Sequence, residues 1–199
     1  EQNMKRIPSN RIDEAFKKIV EQGRQMELLL LPASTTYCGD KNMLENQYSV
    51  VKNLTAPGRL EKIASYFCPP EDPKYNSKRK MMKKLAGKIN LTVEDMPPKL
   101  QYHMLLIDVL SGCTVGRLNI TTLEAKVQQV FSLSDLCKSI LDESCLTIMK
   151  NKMLLHLFNA FLEVELPVLG LQFNAHMWQI LATAPKYLEQ ALDEMKKLS

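Results

Sequence analysis

The chain has 199 residues and a formal net charge of +4, with 45% apolar and 24% charged residues. This balance is typical of a globular protein and excludes wholesale disorder. With only 7 glycines, the sequence is not collagen-like or glycine-rich. No apolar run approaches the roughly 18–20 residues that a membrane helix needs. The chain opens at Glu1 with no visible secretory signal, so we expect it to be part of a longer protein.

A succession of amphipathic helices, separated by short proline or glycine breaks, is the dominant pattern. In the first third of the chain it predicts a helix that starts near Ser9, a second that Asp40 caps, and a short third over 60–67. The proline-rich loop 69–73 ends this series, because proline fixes φ and removes a donor. A basic helix over 77–90 follows the loop.

The second half of the chain continues the series with more apolar helices. Segment 100–111 is apolar on most sides, which predicts that neighbours cover two or more of its faces. Residues 121–124, Thr-Thr-Leu-Glu, predict a capping box at the start of the next helix. Ser132 is predicted to start a short helix, Ser144 a long one, and Pro185 the last one.

These patterns predict an all-α fold, because no alternating run bounded by hairpin turns appears. The apolar helices that start near Pro98 and Ser144 are 46 residues apart (144 − 98), close to the roughly 40–47-residue period of HEAT and armadillo arrays. We therefore expect stacked antiparallel helices in an armadillo- or HEAT-like α-solenoid segment, with a compact irregular bundle as the alternative. The predicted divisions are N-terminal helices (1–68), a proline-bounded basic helix with its linkers (69–97), and a helical region (98–199).

The five cysteines indicate neither a disulfide framework nor a zinc site. They lie at positions 38, 68, 113, 137 and 145, and no two of them form a Cys-x-x-Cys pair. A chain with this many apolar residues can build a core without disulfides. We therefore expect reduced thiols that pack as small apolar side chains in a reducing cytosol.

No constellation of residues in the sequence supports catalysis or cofactor binding. His103 and His156 lie within apolar helices, and we expect each to be a core histidine with one hydrogen bond. His176, beside Trp178, is expected to cap or to pack. The segment 112–116 lacks the Gly-Lys-Ser/Thr ending of a phosphate-binding loop. We therefore predict that the chain is not an enzyme and has no cofactor or metal site.

One strongly basic segment is the candidate binding site. No acidic residue lies between Pro73 and Glu94, and seven cations in this stretch leave the rest of the chain at −3 (4 − 7). Apolar residues at 81, 82, 85 and 89 give the predicted helix an inward face, so the cations are expected to point outward. They are Lys74, Lys78, Arg79, Lys80, Lys83, Lys84 and Lys88, and we call them the basic cluster.

Two interpretations of the basic cluster stay open. It is either a solvated face that meets acids of the same protein, or a docking surface for an acidic protein partner or anionic lipid. Apart from Tyr75 the segment has no aromatic side chain to stack on bases, which argues against nucleic acid.

Residues of the second half carry a resemblance to a known family. The sequence of 100–110, Leu-Gln-Tyr-His-Met-Leu-Leu-Ile-Asp-Val-Leu, resembles a helix in the central cytosolic region of inositol 1,4,5-trisphosphate receptors. The resemblance runs over residues 96–182, and residues 46–52, Asn-Gln-Tyr-Ser-Val-Val-Lys, are an earlier match. The other residues that carry it are Cys113, Gly116, Asn119, Glu124, Lys126, Leu133, Leu136, Cys145, Asn159, 163–165 and 174–178.

The resemblance implies an RIH-type helical repeat region, of the kind shared by inositol trisphosphate and ryanodine receptors. Such regions are stacked helical arrays that link the ligand-binding and pore parts of a tetramer. The chain would then be a non-catalytic segment of a calcium-release channel, on the cytoplasmic side of the endoplasmic reticulum membrane. Its partners would be other parts of the same protein or further copies of it. The alternative is a scaffold protein that keeps the helical array without a channel.

Overall fold

The computed structural model describes residues 9–38, 41–64, 75–86, 91–116 and 121–198. In the first half the helices are α1 (Ser9–Gln22), α2 (Met26–Thr36), α3 (Leu44–Leu54), α4 (Leu60–Ile63) and α5 (Tyr75–Ala86). In the second half they are α6 (Pro98–Gly112), α7 (Thr121–Val130), α8 (Leu133–Leu141), α9 (Thr147–Leu157) and α10 (Ala175–Leu198). A π-helical turn (Phe158–Leu162) continues α9, and a 3-10 turn (Leu171–Phe173) precedes α10.

The prediction of an all-α protein is confirmed. The extended structure in the described residues is limited to β1 (Tyr37–Cys38) and β2 (Lys41–Asn42), a two-residue antiparallel ladder in which Tyr37 pairs with Asn42. This ladder closes the connection between α2 and α3 and is far too short to form a layer of the fold.

Helix α6 lies at the centre of the core, with α2 and α9 packed against it. Seven of its apolar side chains are at most 3% exposed, and only Leu105 is partly buried, which confirms that neighbours cover more than one of its faces. Tyr102 on α6 is completely buried, and its hydroxyl donates a hydrogen bond of 2.9 Å to the carbonyl of Ile63 at the end of α4. Buried apolar side chains form one cluster that reaches from Ile12 on α1 to Ile180 on α10. Helices from both halves of the chain therefore share a core.

Helix α2 was not expected from the sequence. Pro32 lies inside it, and an interior proline costs a helix about 3 kcal/mol because it removes a hydrogen bond and crowds the preceding turn. The surrounding residues are strongly apolar, however, and Leu29 and Pro32 are buried. Packing of α2 along α6 offsets the local preference, as tertiary contacts often do.

Three predicted helix starts are wrong. Helix α3 has Met43 as its N-cap, without a side-chain cap, whereas the expected cap Asp40 lies outside the described residues. Helix α9 begins at Thr147; Ser144 instead donates from both its amide and its hydroxyl to Asp142 Oδ1, at 2.8 Å each. Pro185 lies inside the continuous helix α10 and does not begin a new one. The cap at Ser132 is confirmed, since its hydroxyl oxygen accepts from the Asp135 amide.

The predicted capping box of α7 is also wrong. The amide and the hydroxyl of Thr121 donate to Glu165 Oε2, a carboxylate from the segment after the π-helical turn. Glu124 is buried, and its carboxylate accepts from the Glu165 amide at 3.2 Å. Burial raises the pKa of Glu124, with the neighbouring Glu165 carboxylate adding to the rise and its amide hydrogen bond opposing it. The start of α7 is thus capped by a negative charge from a distant segment, as the helix dipole favours.

Candidate partner-binding surface

The local sequence of α5 explains why its cations face outward. Met82 is completely buried and Leu85 nearly so, while Met81 packs against the same core at its edge. Burial of these side chains fixes the rotation of the helix about its axis. The inward placement of residues 81, 82 and 85 is confirmed. Lys74, Lys88 and Ile89 lie outside the described residues.

The described part of the basic cluster is largely exposed. Arg79, Lys80, Lys83 and Lys84 are exposed, and Lys78 is half-buried. Lys78 and Arg79 each take part in an interaction with another residue. Lys80, Lys83 and Lys84 stand three and four residues apart, which is the spacing of one helix face. The arrangement presents flexible point charges suited to diffuse attraction of an acidic surface.

Arg79 and Lys83 also border an open cleft of about 850 Å³ opposite the start of α9. Leu146, the N-cap of α9, supplies no side-chain cap, so the first amides of this helix add positive potential to the cleft. Glu143 lies on the same cleft and offsets part of that potential. The cleft extends the positive surface of α5 without supplying a dedicated ligand pocket.

The thiols of the core are protonated at neutral pH. Cys113, Cys137 and Cys145 are free and buried, as expected for cysteines that pack as small apolar side chains. Burial raises the pKa of Cys137 to about 11 and that of Cys145 to about 12, and it raises the pKa of Cys113 further. Because the thiolate is the reactive form, these three thiols are poor nucleophiles. Among the described residues, no three His, Cys, Asp or Glu side chains are placed to hold a metal ion.

The two core histidines, His103 and His156, are both buried, as predicted. His156 does not have the expected hydrogen bond, since neither of its ring nitrogens has a partner among the described residues. Its ring stacks on Phe131 at a centroid distance of 6.1 Å and meets Phe161 edge-on at 6.2 Å. Burial lowers the pKa of His156 to about 4, so the ring is neutral at physiological pH.

A set of buried side-chain hydrogen bonds, which we call the polar junction, joins α2, α3, α6 and the π-helical turn. Gln47 is completely buried and donates from Nε2 to the carbonyls of Gly112 and Val115, at 2.8 and 3.0 Å. These carbonyls belong to the last turn of α6 and the residues after it, where the helix leaves acceptors unpaired. The feature of the sequence that could have predicted this contact is a glutamine on the otherwise apolar stripe of α3.

The same junction includes two further contacts. Asn46 donates from Nδ2 to the Thr35 carbonyl of α2 at 3.0 Å. Asn159, in the π-helical turn, donates to the Ser111 hydroxyl of α6 at 2.8 Å. Hydrogen bonds of this kind inside a core fix the register of neighbouring helices, because a slip would leave buried polar groups unpaired.

Three of the residues on which the resemblance rests make contacts between helices or segments. Gln47 and Asn159 belong to the polar junction, and Glu124 receives the amide of Glu165. Asn174 caps α10, since its Oδ1 accepts from the Met177 amide at 3.1 Å. Gly116 has a φ of 105°, a conformation that glycine adopts without strain. The residues in question thus act in packing and capping.

Charge reversal tests the basic cluster. We expect that the triple variant Lys80→Glu/Lys83→Glu/Lys84→Glu keeps its circular dichroism spectrum, because exposed charges contribute only about 0–1 kcal/mol each to folding. It should lose most of the binding of the chain to vesicles that contain phosphatidylserine, and wild-type binding should fade as salt rises.

A matched control reverses three lysines elsewhere. Lys62, Lys99 and Lys186 are also exposed. Reversing these three lysines changes the net charge by the same amount as reversing the three lysines of α5. Equal binding by both triple variants would show that α5 is merely a solvated face.

None of the helices in the described residues is both long enough and apolar enough to cross a membrane. No protein-family model and no curated protein sequence matches the chain.

Proposed function

We propose that this chain is a non-catalytic helical segment of an inositol trisphosphate receptor-like calcium-release channel, belonging to an RIH-type α-solenoid region. Its role there is mechanical coupling between neighbouring parts of the assembly. One observation supports this most directly: Gln47 and Asn159, two of the residues that carry the resemblance, form hydrogen bonds between helices, and a third, Asn174, caps α10. Residues of that kind specify a helical packing arrangement.

The mechanism follows from how packed helices move. Helix α6 contacts both α2 and α9, and the polar junction ties α3 and the π-helical turn to its carboxy-terminal end. Interdigitated side chains resist gradual deformation, so a displacement at one side is passed on as a rigid-body shift. A solenoid segment of this kind transmits a movement and performs no chemistry itself.

Calcium release tests the proposal in cells that natively express the protein. We expect that removing the protein from such cells abolishes calcium release evoked by inositol 1,4,5-trisphosphate after permeabilisation. Release evoked by a calcium ionophore serves as the control, because it reports only the filling of the store. Unchanged trisphosphate-evoked release in the absence of the protein would contradict the channel function.

The second candidate is a scaffold without channel function, located in the cytoplasm, that binds acidic partners. The exposed cations of α5 favour it, since they lie on a helix whose opposite face is already used in packing. Loss of partner binding in the Lys80/Lys83/Lys84 variant, together with normal calcium release in cells without the protein, would favour the scaffold over the channel.

A further inference from the structure

Helix α5 is attached to the rest of the molecule more loosely than any other helix. Among the described residues, each of the other nine α-helices packs extensively against at least one neighbouring element, whereas α5 packs extensively against none. Of its described side chains only Met82 and Leu85 are buried, while the central helix α6 buries seven apolar ones. A helix with so few buried contacts lies at the low end of the free energies of local opening.

The surroundings of α5 add little to hold it in place. Leu85 borders the open cleft opposite the start of α9, so neighbours do not seal this side of the helix. Arg79 and Lys83 border the same cleft, where the first amides of α9 repel them because no side chain caps that helix. Glu143 is a single carboxylate and offsets this repulsion only in part. Release of α5 therefore separates charges of like sign.

The sequence of α5 is that of a helix that can lie on a membrane surface. Residues 78–86 are all lysine, arginine, methionine, leucine or alanine, which are strong helix formers. Helical spacing places Met81, Met82 and Leu85 on one side of the helix. A basic face opposite an apolar stripe is typical of helices that lie in the plane of a membrane, with the apolar side chains at the acyl boundary. The cations on that opposite side are Arg79, Lys80, Lys83 and Lys84.

An anionic surface would relieve a repulsion within the helix. Arg79 lies four residues before Lys83, and Lys80 four residues before Lys84, a spacing at which like charges destabilise a helix. The stretch 74–93 contains no acidic residue that could offset them. Anionic headgroups supply counter-charge to all four cations at once. Transfer of α5 to such a surface thus replaces a repulsion by an attraction.

The side chains of α5 fit lipid better than the groove of a protein. Four of the five cations in its described part are lysines, which are depleted at protein interfaces and suit diffuse attraction to headgroups. Aromatic side chains, which often anchor a protein interface, are limited to Tyr75. An anionic bilayer is therefore the partner whose chemistry matches both faces of the helix.

We propose that α5 is a releasable membrane-binding helix. In the docked state Met82 and Leu85 belong to the core. In the released state they enter the acyl boundary of an anionic bilayer, and the cations lie among the headgroups. The other nine helices pack against one another and stay folded when α5 leaves. The proposal concerns lipid contact alone, so its failure would leave the calcium-release test unaffected.

Contact between position 85 and lipid tests the release directly. The variant Leu85→Trp/Trp178→Phe moves the sole tryptophan of the chain to the buried side of α5, where the open cleft leaves room for a larger side chain. We expect vesicles of phosphatidylserine and phosphatidylcholine with brominated acyl chains to quench its emission, and the same vesicles without bromine to leave it unquenched. Vesicle binding without quenching would overturn the release, because α5 would then bind through its outward cations while docked.

Truncation of the buried side of α5 gives a second readout. The variant Met82→Ala/Leu85→Ala keeps every cation, yet it should weaken binding to the phosphatidylserine vesicles at least about tenfold, because it removes the apolar groups that enter the bilayer. Leu123→Ala/Val130→Ala is the matched control, since it truncates two equally buried side chains on α7 and should bind as the wild type does. Wild-type binding by both variants would overturn the proposal. Binding of the chain to poly-glutamate but not to vesicles would also overturn it, and would assign the basic cluster to an acidic protein.

Discussion

Replacing His156 by methionine is expected to raise the free energy of unfolding by about 1–3 kcal/mol. The imidazole is completely buried between Phe131 and Phe161, and neither of its nitrogens has a partner among the described residues. Methionine fills a similar volume and removes two unpaired polar atoms. Chemical denaturation of both proteins at pH 7.5 measures the difference. A loss of stability in the methionine variant would show that the imidazole has a hydrogen bond that the structure lacks.

The same side chain should make stability depend on pH. Burial lowers the pKa of His156 from about 6.5 in the unfolded chain to about 4 in the folded one. Protonation of His156 therefore leaves the free energy of unfolding unchanged above pH 6.5 and lowers it as the pH falls from 6.5 to 4, by about 3 kcal/mol in total. Carboxylates also titrate in this range, so the His156→Met variant is the reference. We expect wild-type stability to fall more steeply than that of the variant.

Replacing Gly112 by alanine is expected to lower the free energy of unfolding by about 1–3 kcal/mol, although alanine is normally the better helix residue by about 1 kcal/mol. A Cβ atom at Gly112 would lie 2.7 Å from the Thr36 hydroxyl of α2. That distance is far inside van der Waals contact, so either the Thr36 hydroxyl must rotate and give up its hydrogen bond or one of the two helices must shift. Thermal or chemical unfolding of the variant measures the cost.

A double-mutant cycle identifies the cause. The added Cβ would lie at an ordinary 3.5 Å from the Thr36 Cβ, so removing the hydroxyl with Thr36→Ala should relieve the clash. Thr36→Ala alone should lower the free energy of unfolding only slightly, because it removes a single hydrogen bond, of 3.2 Å, to the Ala33 carbonyl. We expect the double variant to be more stable than Gly112→Ala, with a coupling energy of about 1–3 kcal/mol. If Gly112→Ala alone stabilised the chain, α2 and α6 would not be in close contact.

The fold class and most helices could be predicted because their signals are local. The stripe of Ile12, Phe16 and Ile19 on α1 has helical spacing, and all three side chains are buried as expected. The outward lysines of α5 likewise follow from the apolar residues on its other side.

The features that could not be predicted depend on distant segments. Glu165 caps the start of α7 although 44 residues separate it from Thr121. Helix α2 passes through Pro32 because α6 lies beside it, and a local pattern does not contain that contact. The π-helical turn places Ala160 so that its carbonyl accepts from Gln128 Nε2 at 2.7 Å, again across the core.

Hydrogen exchange of the Gly112→Ala variant, compared with the wild type, tests most directly that the helices act as one mechanical unit. In a single cooperative unit, amides of α9 lose as much protection as amides of α2, although the added Cβ at position 112 would contact only Thr36 of α2. The predicted divisions after residues 68 and 97 would then not separate independently unfolding parts. Loss of protection confined to α1–α4 and to α6, which carries the substitution, with α9 unchanged, would contradict a rigid coupling element.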